Sequence, residues 1–475
     1  PEDAAAQPPA ATPSAPRETS TPVAETPAAE PASEPEPAIE SVQETEPEPT
    51  PAPEPEPPLE AVILTGPDHV LAALAGPLSG AVAEARGLEV GNPAEVDGGI
   101  EVTMEPQDDG ARLRLVLQPA DTGSAAQALL GDGAADAMLW AVPMIDRQAE
   151  AVVAHDALVA VVAPGNATDS LTREQLAGIL SGEITDWAEL GGPGGDIRLV
   201  GLPAGHPVTA LRDTLLMSSS GKKPAQPTFM VDTTAALSEE VAAASRSIGI
   251  TTLSMAAPAR ALPLGTTCGV ATLPDATTVK TGRYPLGFSI TATAAPRGEM
   301  AEAVIAALPS AIDGTTLIAP GMAPGPLDAQ RQQLQRAMRA SASEPEVRRT
   351  LSAALRNIEV SRQLPMVIGF EPGSNKLLPG AEQALQQAIS HAAENGLPEL
   401  FLVGHAESSG DAVKDREVSR LAARRVRQAM NQIDTEGALG GTILRTVGMG
   451  ALSPVACGDA DTALRNRRVE IWVRG

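Results

Sequence analysis

SLTREQLAGILSGEITDW, at residues 170–187, contains an amphipathic helix and follows an apolar strand. The strand is predicted over Leu158–Ala163 and the helix over Thr172–Leu180, with Ser170 as its N-cap. Downstream, Ile197–Gly201 is typical of a further strand, and a second helix follows it. Strands and helices that alternate in this way favour a parallel sheet and an α/β class.

The same alternation extends towards the N terminus. Ala61–Leu64 is typical of a short buried strand, and an Ala- and Leu-rich helix follows it to about Ala85. Strands are predicted over Arg112–Leu117 and Ala134–Val142, with a short helix over Ala125–Leu130 between them. The α/β pattern therefore covers most of the middle of the chain.

Residues 1–59 differ from the rest in composition. Within residues 1–60 there are 14 acidic residues, one basic residue, 17 prolines and no aromatic residue. Such a segment cannot bury enough apolar surface to offset the entropy of ordering, and its Glu-Pro runs favour an extended chain. We therefore expect residues 1–59 to be a disordered acidic linker. Because the chain begins at Pro1 rather than Met, we also expect that a signal peptide or a membrane anchor preceded it.

Composition also excludes several classes of function. The net charge of −26 gives no support to nucleic-acid binding. The two cysteines, Cys268 and Cys457, form no C-x-x-C pair, so we predict no metal site, redox motif or cofactor. They either form one long-range disulfide or are two small buried residues. His405 lies near Ser408 and Ser409 without an acidic partner, so we predict that the chain is not an enzyme.

Four segments of the middle region resemble the phosphate-binding-protein (PstS-like) branch of type 2 periplasmic solute-binding proteins. They are residues 156–164, 170–187, 247–250 and 279–286, and the second of them is the most similar. The resemblance implies that residues 60–310 form two α/β lobes around a cleft, which closes on a solute through a hinge. It also implies a location in the periplasm.

The three loops of this cleft depart from the PstS-like pattern, in which backbone amides and Ser, Thr or Arg side chains hold an anion. The first loop, residues 66–69, has a proline without an N–H group and a carboxylate that repels anions. The second, residues 140–143, has neither hydroxyl nor guanidinium, and the third, residues 204–207, leaves Thr209 as the nearest hydroxyl. The candidate cleft residues are Gly66, Asp68, His69, Ala141, Gly205, His206 and Thr209.

These departures argue against orthophosphate and leave the ligand open. The cleft binds a different small anion or another solute, or it is kept only as a surface for a partner. His69 and His206 occupy equivalent loops, and they either bind an anion when protonated or are ordinary surface histidines.

The chain changes character after the middle region. Apolar residues at helical spacing over 327–338 and 347–358 predict two helices, or one helix kinked at Pro345, in a connector over residues 311–363. The pattern that follows is strand, helix, strand, helix, strand, with the second helix over Val418–Met430. It predicts an α/β sandwich with helices on one face of a small sheet.

Three segments of residues 364–475 resemble the OmpA-like (OmpA/Pal/MotB) family. Residues 370–377 are similar to its opening strand and turn, residues 402–407 (LVGHAE) to its Gly-His-Thr-Asp segment, and residues 466–470 (NRRVE) to its closing motif. The resemblance implies non-covalent binding of the diaminopimelate-containing stem peptide of peptidoglycan. In that family an Asp takes the ammonium group of diaminopimelate, and an Arg on the following helix pairs with its carboxylate.

Two positions differ from the OmpA-like pattern. Glu407 stands where the Asp is usual, and Ala422 occupies the helix position of the Arg, which leaves Arg425 one turn later to reach the site. The alternative is that the arginines of this helix form a solvated face and that Arg467 and Arg468 are structural. The candidate peptidoglycan-binding residues are His405, Glu407, Arg425, Asn466 and Arg467.

The sequence therefore predicts a multidomain α/β and α+β protein of the periplasm or cell envelope of a diderm bacterium. In the first hypothesis, an OmpA-like domain grips peptidoglycan and presents a PstS-like domain that binds a solute. In the second, the cleft is not a receptor, and the same domain docks a protein partner of the envelope.

Overall fold

The computed structural model describes residues 58–96, 99–107, 110–144, 152–265, 270–340, 352, 356, 358–371, 373–455 and 465–474. The acidic linker predicted over residues 1–59 lies outside these ranges apart from Pro58 and Leu59. So do both cysteines of the predicted disulfide, Cys268 and Cys457, and the predicted kink at Pro345.

A mixed sheet of 12 strands forms the framework of the first domain. The strands of this domain are β1 (Leu59–Gly66), β2 (Leu88–Val90), β3 (Ala94–Val96), β4 (Gly99–Pro106), β5 (Arg112–Pro119), β6 (Ala137–Pro143), β7 (Val152–Val162), β8 (Leu171–Thr172), β9 (Arg198–Gly201), β10 (Phe229–Met230), β11 (Ser247–Thr252), β12 (Arg260–Ala261), β13 (Leu264–Gly265) and β14 (Gly287–Ala294). The order in the sheet is β10-β9-β11-β7-β14-β6-β1-β5-β4-β2, with β12 beside β7 and β3 beside β4, while β8 and β13 pair separately.

The long strand β7 connects two lobes. Its first half pairs antiparallel with β14, and its second half, Leu158–Val162, pairs antiparallel with β11. In one lobe β1 lies parallel between β5 and β6, and in the other β9 lies parallel between β10 and β11. The two-lobed α/β architecture predicted from the sequence is confirmed.

Helices cover both lobes. They are α1 (Asp68–Arg86), α2 (Gly123–Gly131), α3 (Arg173–Leu180), α4 (Pro207–Arg212), α5 (Ser218–Ser220), α6 (Thr234–Ala243), α7 (Ala276–Lys280) and α8 (Glu299–Asp313). A π-helical turn over Asp213–Met217 joins α4 to α5, and 3₁₀ turns cover Trp187–Leu190 and Leu253–Met255.

The predicted N-cap of α3, Ser170, is wrong. The helix begins after Thr172, whose hydroxyl accepts a hydrogen bond from the Gln175 amide at 3.1 Å. The Gln175 side chain in turn accepts one from the Thr172 amide at 2.8 Å. This reciprocal pair satisfies two backbone donors at the helix start, which a single serine cannot do.

The core of the first lobe fixes the start of α1. Leu71, Leu74 and Leu78 recur at helical spacing on α1 and are buried, and the alternating leucines of β5 are buried as well. Burial of each such side chain stabilises the fold by about 2 kcal/mol. The loop at residues 66–69 is therefore held between a strand and a helix that cannot shift independently.

The remaining residues form a connecting helix and a second sheet domain. The elements are α9 (Leu327–Ala340), β15 (Ser361–Gly369), α10 (Ala381–Glu394), β16 (Glu399–Gly404), α11 (Ala412–Ile433), β17 (Ile443–Gly448) and β18 (Arg468–Arg474). The strand order is β15-β18-β16-β17, with β16 and β17 parallel and the other pairs antiparallel. The predicted succession of strands and helices is confirmed. However, α11 begins at Ala412 rather than Val418, because the Asp411 carboxylate accepts from the Val413 and Lys414 amides.

The two faces of the second sheet have different neighbours. Helices α10 and α11 cover one face and close the domain core. On the other face, Phe401 and Trp472 pack with Ile358, and Leu334 of α9 lies against them. The connector thus contributes to the packing of the second domain. No helix within the described ranges is long and apolar enough to cross a membrane.

Candidate functional site

The loop between β1 and α1 brings the first two candidate side chains into the cleft. Gly66 lies so close to β6 that a Cβ atom there would be 2.6 Å from the Leu139 carbonyl oxygen, so a larger residue would displace the loop. Pro67 precedes α1 without a side-chain cap, and Asp68 is the first residue of the helix. A carboxylate in this position is stabilised by the positive end of the helix dipole. His69 follows it and is buried.

The second lobe contributes His206, which is the N-cap of α4. Its Nδ1 atom accepts a hydrogen bond from the Val208 amide at 3.2 Å, so the neutral ring carries its proton on Nε2. That Nε2 atom lies 3.5 Å from Oδ2 of Asp68, and Nδ1 of His69 lies 3.5 Å from Oδ1. The helix starts of α1 and α4, one from each lobe, therefore meet at the Asp68 carboxylate. We refer to Asp68, His69 and His206 as the cleft cluster.

The cleft cluster keeps Asp68 ionised. Burial alone would raise the pKa of this carboxyl, but the rings of His206 and His69 outweigh that effect and hold its pKa far below its usual range. Neither histidine lies at the surface, since both are buried. The surface-histidine alternative is therefore wrong for this pair. Within the described residues, no lysine or arginine forms an ion pair with Asp68.

Several polar atoms of the cleft are buried without a hydrogen-bond partner among the described residues. They include Oδ1 of Asp68, both ring nitrogens of His69 and Nε2 of His206. Tyr284 and His405 also have unpaired buried atoms, but they belong to other parts of the molecule.

Asp156 lies on β7 and is buried. Burial raises its pKa, against hydrogen bonds from the Ser254 hydroxyl and the Ala157 amide. The charge of His69 also acts on it. Because β7 crosses between the lobes, Asp156 ties the crossing strand to the 3₁₀ turn that follows β11. Sequence reasoning placed Asp156 in the segment 156–164, which resembles the PstS-like family, but gave it no role in the cleft.

Three further cleft candidates, Gly205, Thr209 and Ala141, are not members of the cleft cluster. Gly205 and Thr209 flank His206, the first exposed and the second buried. Ala141 lies within β6, paired with Ile290 of β14. The structure therefore unites three of the predicted residues, Asp68, His69 and His206, around one carboxylate.

In the second domain, the strand order gathers the three motif segments at one end of the sheet. Gly369 of β15 pairs with Arg468, Gly404 of β16 pairs with Val469, and Gly404 also pairs with Gly448. The described residues of segments 370–377, 405–411 and 465–467 therefore lie at the same end of the strands. We refer to these segments as the motif edge.

The motif edge exposes some of the candidate residues and fixes others. Glu407 is exposed, in a loop held by the buried Asp415, which accepts from the Ser409 amide and hydroxyl. Arg467 donates to Asn375 at 3.0 Å and lies over the ring of Phe370. Asn466 accepts from the Val455 amide at 2.7 Å.

The helix beside this edge carries the remaining candidate. Arg425 is half-buried on α11 and forms no ion pair with a described residue, whereas Ala422 is buried in the helix–sheet core. The helix comes very close to β16, because a Cβ atom at Gly404 would collide with the Ser419 carbonyl. The small residue at 404 therefore sets the distance between α11 and the motif edge.

His405 is enclosed beneath the motif edge instead of facing solvent. Its ring contacts the Leu452 carbonyl at 3.0 Å through Nδ1 and lies 3.4 Å from Glu470 through Nε2. Glu470 also accepts two bonds from Arg468, at 2.8 and 2.9 Å, and lies 3.7 Å from Arg283 of the first domain. We refer to Arg283, His405, Arg468 and Glu470 as the junction cluster.

The junction cluster links the two domains electrostatically. Burial would raise the pKa of Glu470, but His405, Arg468 and Arg283 outweigh it and hold the pKa well below its usual range. Burial, together with Arg468, lowers the pKa of His405. Arg283 also donates to Gln363 of β15 at 3.0 Å. His405 therefore contributes to packing between the domains.

Two lobes, strands that cross between them and a polar cleft at two helix starts define a solute-binding class of fold. In agreement, residues 96–306 match the PBP superfamily domain (PBP_like_2). The chain therefore contains a PBP-like domain of two-lobed α/β fold. A comparison with curated proteins gives no match.

Solved structures with a similar course of the chain include two phosphate-related proteins. One is an ABC-type phosphate transport receptor from Vibrio cholerae, at 18% identity and a TM-score of 0.40, over 55% of this chain and 100% of that chain. Another is PstS from Borrelia burgdorferi, at 16% identity and a TM-score of 0.37, over 55% of this chain and 98% of that chain.

Proposed function

We propose that this chain is a non-enzymatic binding protein of the periplasm that is attached to the cell wall. Residues 364–475 act as an OmpA-like domain that grips peptidoglycan non-covalently, and they present the PBP-like domain, of PstS-like type, at the wall. The observation that carries this proposal is the motif edge, where segments far apart in the sequence leave the sheet together.

The chemistry of the motif edge suits a zwitterionic ligand. The exposed carboxylate of Glu407 supplies a fixed anion for the ammonium group of diaminopimelate. Arg425 has no ion pair with a described residue, so its guanidinium is available for the ligand carboxylate. Arg467 is already bonded to Asn375 and positions the loop instead. The Asp415 bonds to Ser409 hold the Glu407 loop before the ligand arrives.

Co-sedimentation of the full chain with purified sacculi tests this proposal. The wild-type chain is expected to sediment with the sacculi, and Glu407→Ala is expected to weaken binding roughly tenfold or more, because the charged partner of the ammonium is lost. Glu436→Ala removes an exposed carboxylate elsewhere in the domain and should sediment like the wild type. Equal sedimentation of the Glu407 and Glu436 variants would reject the assignment of Glu407, and no sedimentation of the wild type would reject wall binding.

A specific observation favours a second function for the PBP-like domain, as a surface for an envelope protein partner. We infer that the Asp68 carboxylate occupies the place between the two helix starts where a bound anion would otherwise lie. Its ionised state opposes a further anion, and no described lysine or arginine pairs with it. In this proposal the lobes are held together by the protein's own side chains, and orthophosphate does not bind.

Thermal unfolding with added phosphate, sulfate and acetate separates the two functions of this domain. The wild-type chain is expected to show no anion-dependent shift, whereas Asp68→Asn is expected to gain one, because two helix starts and two histidines then face the cleft without a carboxylate. Asp132→Asn, at an exposed site, is the matched control. Stabilisation of the wild type by phosphate would instead support the solute-receptor function.

A further inference from the structure

Helix α11 presents an exposed face whose charge is opposite to that of the protein. The helix sequence AVKDREVSRLAARRVRQAMNQI has six basic and two acidic residues, and the chain as a whole carries −26. One of the two acids, Asp415, is buried beneath the helix. The exposed positions include Arg416, Arg424 and Arg427, together with Leu421 between them. We refer to these four residues as the basic face.

The arginines of the basic face form no ion pair with a described residue, although the charges of Arg424 and Arg416 help to lower the pKa of the Glu417 carboxyl. Arg420 pairs with Glu417 at 2.8 Å, and that bond lowers the pKa of the Glu417 carboxyl. Arg416, Arg424 and Arg427 form no ion pair with any described residue. Positive charges also recur one turn apart, at 416, 420 and 424, and such pairs weaken a helix. A polyanion bound from outside the protein would offset this repulsion, because each arginine would be attracted to it.

Apolar side chains project from the same side of the helix. Leu421 is 48% exposed and Val413 is 72% exposed. The opposite side of α11 is fully used in the domain core, through residues such as Ala423 and Val426. One face of α11 therefore packs on the sheet of its own domain. A second face, basic and partly apolar, has no partner in the described structure.

We propose that the basic face docks on a bilayer surface that bears anionic phospholipid headgroups. Guanidinium groups bind phosphate through two parallel hydrogen bonds, and arginine outnumbers lysine on α11 by five to one. From Arg416 to Arg427 the face extends roughly 16 Å along the helix axis, which allows several headgroups to be contacted at once. Leu421 and Val413 then enter the boundary between headgroups and acyl chains, as apolar residues of surface-bound helices do. This apolar component favours a lipid surface over an acidic protein.

Flotation of the full chain with lipid vesicles tests the proposal. Vesicles of phosphatidylcholine with phosphatidylglycerol are expected to bind the chain at low salt, and vesicles of phosphatidylcholine alone are not. Because the attraction is between charges near a surface, binding should fall steeply as salt rises to about 0.5 M. Equal binding to both kinds of vesicle would overturn the proposal.

Substitution of the basic face provides the sharper test. The triple variant Arg416→Gln, Arg424→Gln, Arg427→Gln is expected to bind anionic vesicles on the order of a hundredfold more weakly. A matched triple variant at exposed cations of the first domain, Arg86→Gln, Lys223→Gln, Arg246→Gln, should bind like the wild type. Leu421→Gln should weaken binding by a smaller factor, without any change in the salt dependence.

The same variants distinguish lipid docking from wall binding. The basic-face triple variant leaves Glu407 and Arg425 intact, so it should sediment with sacculi like the wild type. Retained vesicle binding by this variant, or equal loss in the matched variant, would overturn the proposal. A loss of sacculus binding without a loss of vesicle binding would assign the basic face to the wall instead. Circular dichroism of each variant checks that α11 still folds.

Discussion

The cleft cluster and the junction cluster both set a carboxylate beside histidine, but they differ in how completely the carboxylate is bonded. Glu470 is 2% exposed in its side chain, and both of its oxygens accept hydrogen bonds, from Arg468 and from Trp472. Asp68 is 35% exposed, and the two rings stand 3.5 Å from it, beyond ordinary hydrogen-bond length.

The two clusters therefore differ in what the loss of one contact would cost. A buried and fully bonded carboxylate cannot lose a partner without leaving a charge unpaired in the interior. A partly exposed carboxylate between two lobes can lose its contacts when the lobes separate, and water then solvates it. The junction cluster is therefore a fully bonded part of the fold, whereas the cleft cluster contains a carboxylate that is incompletely bonded.

The largest expected effect comes from breaking the junction cluster. Glu470→Ala leaves Arg468 and Arg283 buried without their carboxylate, which should lower the free energy of unfolding by about 3–5 kcal/mol. Urea unfolding of the full chain measures it. Glu436→Ala, which removes an exposed carboxylate, should change the stability by less than about 0.5 kcal/mol. A similar small change for Glu470→Ala would show that the junction cluster is not a stabilising unit.

A smaller effect comes from acid, through His155, which belongs to neither cluster. Burial, together with Lys280, lowers the pKa of His155 from 6.5 to about 4. The unfolded chain therefore binds a proton between these pH values that the folded chain does not, and stability falls as the pH drops through this window. The expected loss is about 3 kcal/mol, since one pKa unit corresponds to about 1.4 kcal/mol.

The variant His155→Gln isolates this contribution. Glutamine can keep the contact that His155 Nδ1 makes with the Ser289 hydroxyl at 3.1 Å, and it does not titrate. Its stability should therefore fall less between pH 6.5 and 4 than that of the wild type. Identical slopes for the two proteins would contradict the assignment to His155. Once the contribution of His155 to the pH dependence of stability is known, it can be subtracted to obtain the contributions of the two clusters.

The smallest effect is expected at the cleft cluster. Asp68→Asn should lower stability at neutral pH by about 0.5–1 kcal/mol, since solvent screens a carboxylate with this exposure. Because the folded-state pKa of Asp68 is depressed, its contribution is present above the ordinary carboxyl pKa and is lost as the pH falls below it. The difference in melting temperature between wild type and variant should therefore shrink below about pH 4. A difference that grows in acid would contradict the sign of the shift.

Local patterns in the sequence predict the fold well, while the clusters depend on distant pairs. Strand alternation and helical spacing locate β1, α1 and α11, although the Asp411 cap extends α11 beyond its apolar run. The sequence identifies Asp68 as a residue that repels anions but cannot show that it faces His206, which lies 138 residues later. Likewise, the position of His405 after a strand does not reveal that Glu470 and Arg283 enclose it.

Binding of the wall by the motif edge, and not by the cleft, can be tested with a soluble diaminopimelate-containing stem peptide. Backbone-amide NMR spectra of the full chain, recorded during a titration with this peptide, report which region responds. We predict shifts at Glu407, Arg425 and Arg467 and unchanged signals at Asp68 and His206. Shifts confined to the cleft residues, or no shifts at saturating peptide, would contradict binding of the wall by the motif edge.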